Sequence, residues 1–295
     1  MASLGGVEAP KFDLQSHSVH SDGALAAREV VQAAAAAGVE LLALSDHDTA
    51  EGVAEAAAAA AQAGIGLVPA TEITSIFDGR QDLHILGYLI DPQQPTLRAA
   101  LKRSRSDREL RARAMADALR ELGFELDEAA LARRAAQGKS IGRPHLAQAV
   151  VSLPANHDRL AVEDLLDPTA FLVAYLIEGR PAFRHRAAPS VEEAIDLIHA
   201  AGGLAVWAHP FWDVKDPEGV LAAIDRFRDA GLDGVESFYI THTREQTQLL
   251  VQRCAELELL STGSSDYHGP GHHTFSKFRA FSTYGLAPAL GPLAG

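Results

Sequence analysis

At 295 residues, with 47% hydrophobic residues and a formal charge of −13, the chain is long enough for one barrel-sized core carrying an inserted module, and too acidic overall to coat a nucleic acid. No run of about 18 uncharged apolar residues is present, and the first residues carry neither a basic nor a long apolar leader segment. The expectation is a cytoplasmic protein with no membrane segment and no stable grip on duplex DNA. The single cysteine, Cys254, rules out an intrachain disulfide and thiolate zinc sites, and reads as a small buried hydrophobe.

In chain order, a short strand over Phe12 to Leu14 precedes a Ser-Asp-Gly turn and an Ala-rich helix from about Ala26 to Ala37, stopped by Gly38. A strand follows over Leu41 to Ser45, then a second Ala-rich helix over Gly52 to Ala63 ending at Gly64, and strands over Leu67 to Ala70 and Leu83 to Ile90. Ala has the highest helix propensity, so the Ala runs carry a structural message and no functional one. This alternation predicts parallel strand pairing. From about residue 92 to 189 the pattern becomes helix after helix, with Leu101, Met115, Leu119 and Leu122 on one stripe, which reads as an inserted helical cap. Alternation resumes with a helix over Val191 to Ala201, a strand over Leu204 to Ala208, a helix over Gly219 to Ala230, a strand over Gly234 to Phe238, a helix over Arg244 to Leu257 and a strand over Leu260 to Ser264. The barrel is therefore discontinuous, 12–91 with 190–284, and the last dozen residues read as a loose tail. Between Arg98 and Arg143 lie 12 of the 26 Lys and Arg residues against seven acids, a local basic excess able to steer an anionic substrate or simply to solvate a helix face.

The chemistry-bearing residues cluster at the ends of the predicted strands. Asp13-Leu-Gln15-Ser-His17-Ser with Ser21-Asp22-Gly23 follows the first strand, Asp46-His47-Asp48-Thr49 ends the second, and Thr71-Glu72-Ile73-Thr74 follows the third. His84 lies within a strand, His209 ends one in Ala-His-Pro, and Ser265-Asp266-Tyr267-His268 follows the last. Singly, His47 reads more readily as a hydrogen-bonded structural histidine than as a ligand, and His84 and His209 read also as satisfied core histidines. Glu72 differs, because a carboxylate among apolar neighbours is expensive to bury without a cation or hydrogen bonds. Together, Gln15, His17, Asp22, His47, Glu72, His84, His209, Asp266 and His268 form a candidate polynuclear metal site on the face where barrel enzymes keep their active sites. Such a site clamps phosphate oxygens and activates water with no side-chain nucleophile.

These motifs, Asp-Leu-x-x-His-Ser with Ser-Asp-Gly, Asp-His-Asp-Thr, Glu-Ile-Thr, His-Ile-Leu-Gly, Ala-His-Pro and Ser-Asp-Tyr-His, resemble those of the polymerase and histidinol phosphatase (PHP) superfamily of metal-dependent phosphoesterases. The resemblance covers residues 12 to 91 and about 190 to 268. It implies an α/β fold, a distorted seven-stranded (βα) TIM-like barrel, and two or three divalent metals, Mn, Fe or Zn. One metal would take Gln15, His17, Glu72 and Asp266, a second Glu72, His84 and His209, and a third Asp22, His47 and His268. The family usually has His where this chain has Gln15, and an amide oxygen is a weaker donor to transition metals than imidazole nitrogen. Asp46 and His209 are the candidate catalytic residues. Asp46, like Asp48, would orient neighbouring ligands, and His209 or an unliganded imidazole would protonate the leaving alkoxide. The general acid stays open, since a metal-bound nitrogen cannot also donate a proton.

Arg143 and His145 in Ile-Gly-Arg-Pro-His, and Arg184 and His185 in Phe-Arg-His-Arg, are candidate substrate-phosphate contacts. Similarity to stand-alone members with such an insert implies a small phosphorylated substrate, a nucleoside 3′,5′-bisphosphate or short 5′-phosphorylated RNA. Histidinol-phosphate phosphatase, a cyclic phosphodiesterase and a metal-stabilised non-enzymatic scaffold are the competing readings.

Overall fold

The computed structural model describes residues 10–136 and 141–294; the N-terminal segment read above as lacking a leader lies outside the described residues, as does Lys139 of the basic stretch. The chain divides into two compact units, residues 1–101 with 189–295 and residues 102–188.

The first unit begins with β1 (Phe12–Asp13), α1 (Ala27–Ala36), β2 (Leu41–Leu44), α2 (Val53–Ala63), β3 (Gly66–Phe77) and β4 (Arg80–Tyr88). Helix α3 (Pro95–Glu121) starts in it. The second unit continues with α4 (Glu128–Ala136), α5 (Arg143–Val151), α6 (His157–Val162) and α7 (Pro168–Tyr175). The first unit resumes with α8 (Val191–Ala200), β5 (Leu204–Trp207), α9 (Pro210–Asp213), α10 (Pro217–Asp229), β6 (Gly234–Tyr239), α11 (Arg244–Glu256) and β7 (Leu260–Ser264). Asp216 and Thr243 cap α10 and α11 through side-chain oxygens that accept from Gly219 N and Gln246 N, satisfying amides the helices leave free.

The strands form one seven-stranded sheet in sequence order. It curls until β7 meets β1, where Leu14 N donates to Gly263 O at 3.2 Å and Ser16 bridges Tyr267 in parallel. This is the expected α/β barrel, and one strand is its distortion: β4 runs antiparallel to both β3 and β5, whereas the remaining pairs are parallel. The all-parallel expectation is thus corrected, and the cause is local. Asp78 and Gly79, at φ 47° and 78°, form a tight reversal with no room for a crossover helix, and β3 runs seven residues past the Ala70 end expected for it.

Inside the barrel, Leu14, Ala43, Val68, Leu86, Tyr88, Val206 and Phe238 are buried together, while Ile73, Ile85, Ile195, Ile198, Trp207 and Phe227 pack the helices onto the sheet. The second unit has its own core, built on Met115, Leu119, Phe124, Leu146, Leu160 and Phe171. The C-terminal segment is no loose tail. Leu293 is 2% exposed within the barrel cluster and Ala289 pairs with Ser261, so apolar burial overrides its Pro- and Gly-rich composition.

Candidate metal centre

Each strand end delivers its side chain through a local device. After β1, the chain turns so tightly through Ser18 to Gly23 that a Cβ at Gly23 would lie 2.2 Å from the His17 carbonyl oxygen, so only glycine fits. The turn is held from outside: Asp46 Oδ1 accepts from Ser18 N at 2.7 Å and Ser21 Oγ at 2.6 Å, and Oδ2 accepts from Ser18 Oγ at 2.6 Å. Asp48 likewise accepts from the Thr74 amide at 3.0 Å and its hydroxyl at 3.1 Å, tying the end of β2 to β3 beside Glu72. In the β3 and β4 pairing Thr74 faces His84, which puts Glu72, two residues earlier, on the same face as that imidazole. Asp48, His209 and Asp266 adopt φ of 53°, 31° and 53°, a left-handed backbone that is uncommon for non-glycine residues and here turns each side chain off its strand end. His209 N is fixed by donation to Glu236 Oε2 at 2.9 Å.

At the centre is Glu72, whose side chain is fully buried. Its Oε1 is 2.9 Å from His84 Nδ1 and 3.2 Å from His209 Nε2, and its Oε2 is 3.2 Å from His17 Nε2 and 3.3 Å from His47 Nδ1. On one side, Asp266 Oδ1 lies 3.0 Å from His17 Nε2, with Gln15 buried beside Ser264. On the other, Asp22 lies 3.6 Å from His47 Nε2 and 3.4 Å from His268 Nε2. His268 Nδ1 is 2.7 Å from the Asp266 carbonyl, so that nitrogen carries the proton and Nε2 is left as the donor atom facing Asp22. Two groups come together tightly enough to share an ion, His17, Asp22, His47 and His268, and His47, Glu72 and His84. Eight of the nine sequence-selected positions are therefore neighbours in one cluster, with Gln15 touching Ser264, and His17 and His47 each face more than one carboxylate.

Carboxylates and imidazoles in this cluster shift one another strongly. Burial alone would raise the Glu72 carboxyl, but His47 and His84, then His17 and His209, hold it well below the usual range. Asp22 is lowered in the same way by His47 and His268 against the burial penalty. Burial would lower His17, but the Asp266 and Glu72 carboxylates raise it well above its ordinary value. Burial also opposes protonation of His209, which Glu72 and Asp213 raise to about 10. Meanwhile Glu72 Oε2, Asp22 Oδ1, Asp266 Oδ1 and His17 Nε2 are buried and make no hydrogen bond. Buried carboxylate and imidazole atoms left without hydrogen bonds and grouped within reach of one another are the donor set of a polynuclear divalent centre, which the residues present fit.

Four further residues, Tyr239, Ser264, Glu236 and Asp213, belong to the site and escaped the sequence reading. Tyr239 donates its hydroxyl to Asp266 Oδ2 at 2.8 Å, and Ser264 donates to Glu236 Oε1 at 2.5 Å. Glu236, pushed up to about 8 by burial, is a carboxylate inside the apolar Gly-Val-Glu-Ser-Phe strand, the same signal that marked Glu72. Asp213, raised to about 6 by burial, faces His209 Nδ1 at 4.0 Å and announces itself only by lying one helical turn past that histidine. In the second unit, Arg143 opens α5 and His145 Nδ1 accepts from Gly142 N at 3.1 Å, whereas the Arg184 guanidinium donates to the Phe183 carbonyl at 2.8 Å and His185 stands edge-on to Phe183.

The PHP domain model matches residues 13–133. The chain is 35% identical to a 5′-3′ exoribonuclease of Haemophilus influenzae over 88% of its own length and 90% of that protein. It is 37% identical to a 3′,5′-nucleoside bisphosphate phosphatase of Chromobacterium violaceum over 88% of both. A Bifidobacterium adolescentis structure assigned to the metal-dependent phosphoesterases superposes with a TM-score of 0.74 at 27% identity, covering 92% of this chain and 94% of that one. Among the described residues, no helix is long and apolar enough to cross a membrane.

Proposed function

This chain belongs to the PHP family and is a phosphoric ester hydrolase that uses divalent metals, and from that premise we propose that it hydrolyses phosphate esters of small nucleotides, either the 3′-phosphate of nucleoside 3′,5′-bisphosphates or the esters of short 5′-phosphorylated RNA. The observation that carries this reading is Glu72, one fully buried carboxylate with four imidazoles around its two oxygens. A monoester dianion or a diester monoanion needs such a concentration of positive charge, and little other covalent chemistry from the protein. In our assignment Gln15, His17, Glu72 and Asp266 hold one ion, Glu72, His84 and His209 a second, and Asp22, His47 and His268 a third.

When bound, two or three ions of Mn, Fe or Zn supply the Lewis-acid charge that activates water and neutralises the phosphate oxygens. The chain's own residues do the rest. Glu72 would be the ligand shared between ions, since each of its oxygens addresses a different pair of imidazoles. Asp46 holds the Ser18–Gly23 turn and through it Asp22, its oxygens being taken up by serine donors rather than open to substrate. Tyr239 fixes Asp266 so that Oδ1 remains for the metal. His209 presents Nε2 to Glu72 and serves as a ligand, which leaves proton delivery to the leaving oxygen to water or to a substrate-borne group. Arg143, His145, Arg184 and His185 supply the candidate contacts to a second phosphate.

The test is hydrolysis by manganese-loaded protein of adenosine 3′,5′-bisphosphate, short 5′-phosphorylated RNA, a cyclic nucleotide and histidinol phosphate, read as phosphate release for the monoesters and as nucleotide products by chromatography for the RNA and the cyclic nucleotide, with chelated protein as control. Chelator-sensitive turnover of the bisphosphate or the RNA is expected; turnover of histidinol phosphate alone contradicts the proposal.

A further inference from the structure

We propose that Trp212, backed by Phe275 and His272, is a stacking platform for the nucleobase of the substrate, set one aromatic ring away from the metal cluster. This rests on the nucleotide reading above and adds where the base is held. Trp212 lies in α9, three residues past His209, and is 51% exposed, the sole aromatic side chain among the exposed large hydrophobics of the described residues. An indole left half in water at the rim of a catalytic cluster is the kind of apolar surface that a ligand face covers.

The rings form a continuous path from this indole to the candidate ligands. Trp212 is 6.0 Å from Phe275 between centroids, and Phe275 is 5.5 Å from His268 and 6.2 Å from Tyr239. His272 stacks on Phe275 at 4.9 Å, so one face of that phenyl ring is already covered, whereas the Trp212 indole stays half-exposed. The loop carrying these rings is fixed: His268 N donates to the Phe275 carbonyl at 2.9 Å, His272 N to the Gly269 carbonyl at 3.1 Å, and Phe275 N to His272 Nδ1 at 3.0 Å. Trp212 is held from its own side by Lys215, whose ammonium donates to the Phe211 and Trp212 carbonyls at 2.8 and 2.7 Å and sits 5.7 Å from the indole ring. Neither side must be ordered when a ligand arrives, which keeps the entropic cost of stacking low. Every base has a π face, so such a platform accepts purines and pyrimidines alike while rejecting phosphates that lack a ring.

Two measurements on the metal-loaded full chain test this. The chain has two tryptophans, and Trp207 is fully buried, so adenosine 5′-monophosphate should quench the fluorescence of Trp212 while ribose 5-phosphate leaves it unchanged. In turnover, Trp212→Ala should lower kcat/KM for adenosine 3′,5′-bisphosphate by about tenfold or more, mainly through KM, with Trp212→Phe restoring most of it, in keeping with the usual strength of base stacking. Absence of quenching, or a Trp212→Ala enzyme that matches wild type on the bisphosphate, overturns the platform alone. A wild type that hydrolyses histidinol phosphate and no nucleotide overturns the nucleotide reading beneath it and the platform with it.

Discussion

Removing the Asp46 carboxylate separates a positioning role from a chemical one. Its three hydrogen bonds, two from Ser18 and one from Ser21, are short, buried and made to an ionised acceptor. Bonds to charged groups contribute roughly 1.5–3 kcal/mol each, and a buried amide left without an acceptor costs about 1–3 kcal/mol. Because the three share one carboxylate they do not add, and Asp46→Ala should destabilise the first unit by about 4 kcal/mol. Asp46→Asn keeps a carbonyl oxygen for Ser18 N and Ser21 Oγ, and its NH2 can donate to Ser18 Oγ, so about 1–2 kcal/mol is expected. Urea unfolding followed by tryptophan fluorescence reads this directly, since Trp207 and Trp212 both lie in the first unit and the two-unit chain need not unfold in one step. Phosphate release should collapse in the alanine variant and fall tenfold or less in the asparagine variant. An asparagine variant of wild-type stability that is as inactive as alanine would refute the argument and make Asp46 a proton acceptor.

Two other predictions rest on single residues. His242 is buried with its pKa held down to about 4, first by burial, so it folds in the neutral form. An unfolded histidine takes up a proton near pH 6.5, so stability is present above that pH and is lost as pH falls toward 4. The wild type should lose about 3 kcal/mol relative to His242→Leu between pH 7 and pH 4 by urea titration, and parallel curves would contradict this. Gln15→His puts an imidazole where a buried amide now stands with Nε2 unpartnered, and should raise manganese affinity at limiting metal in equilibrium dialysis. Unchanged affinity would mean that Gln15 lies outside the ion's reach.

The parts of the fold legible in the sequence were those governed by local rules. Gly38 and Gly64 sit at φ 78° and 71° after α1 and α2, where a helix needs a left-handed stop. The strand ends carrying His17, His47 and Asp266 announced themselves because polar residues cut off apolar runs at positions the core cannot use. Glu236 broke the same rule within its strand and went unnoticed because no motif surrounded it. What stayed hidden was non-local. The antiparallel course of β4 hinges on one Asp78-Gly79 reversal, and the packing of Leu293 depends on a barrel end built by other strands. The exposure of Trp212 follows from a four-residue helix launched by the left-handed backbone at His209, which no periodicity encodes.

The central claim is that Glu72 is the shared ligand of a polynuclear centre, and counting bound metal tests it most directly. Manganese per chain, measured by equilibrium dialysis on wild type and Glu72→Gln, should fall from at least two to at most one, because the variant removes the one carboxylate charge that all four imidazoles share. An unchanged metal count in Glu72→Gln would contradict the account.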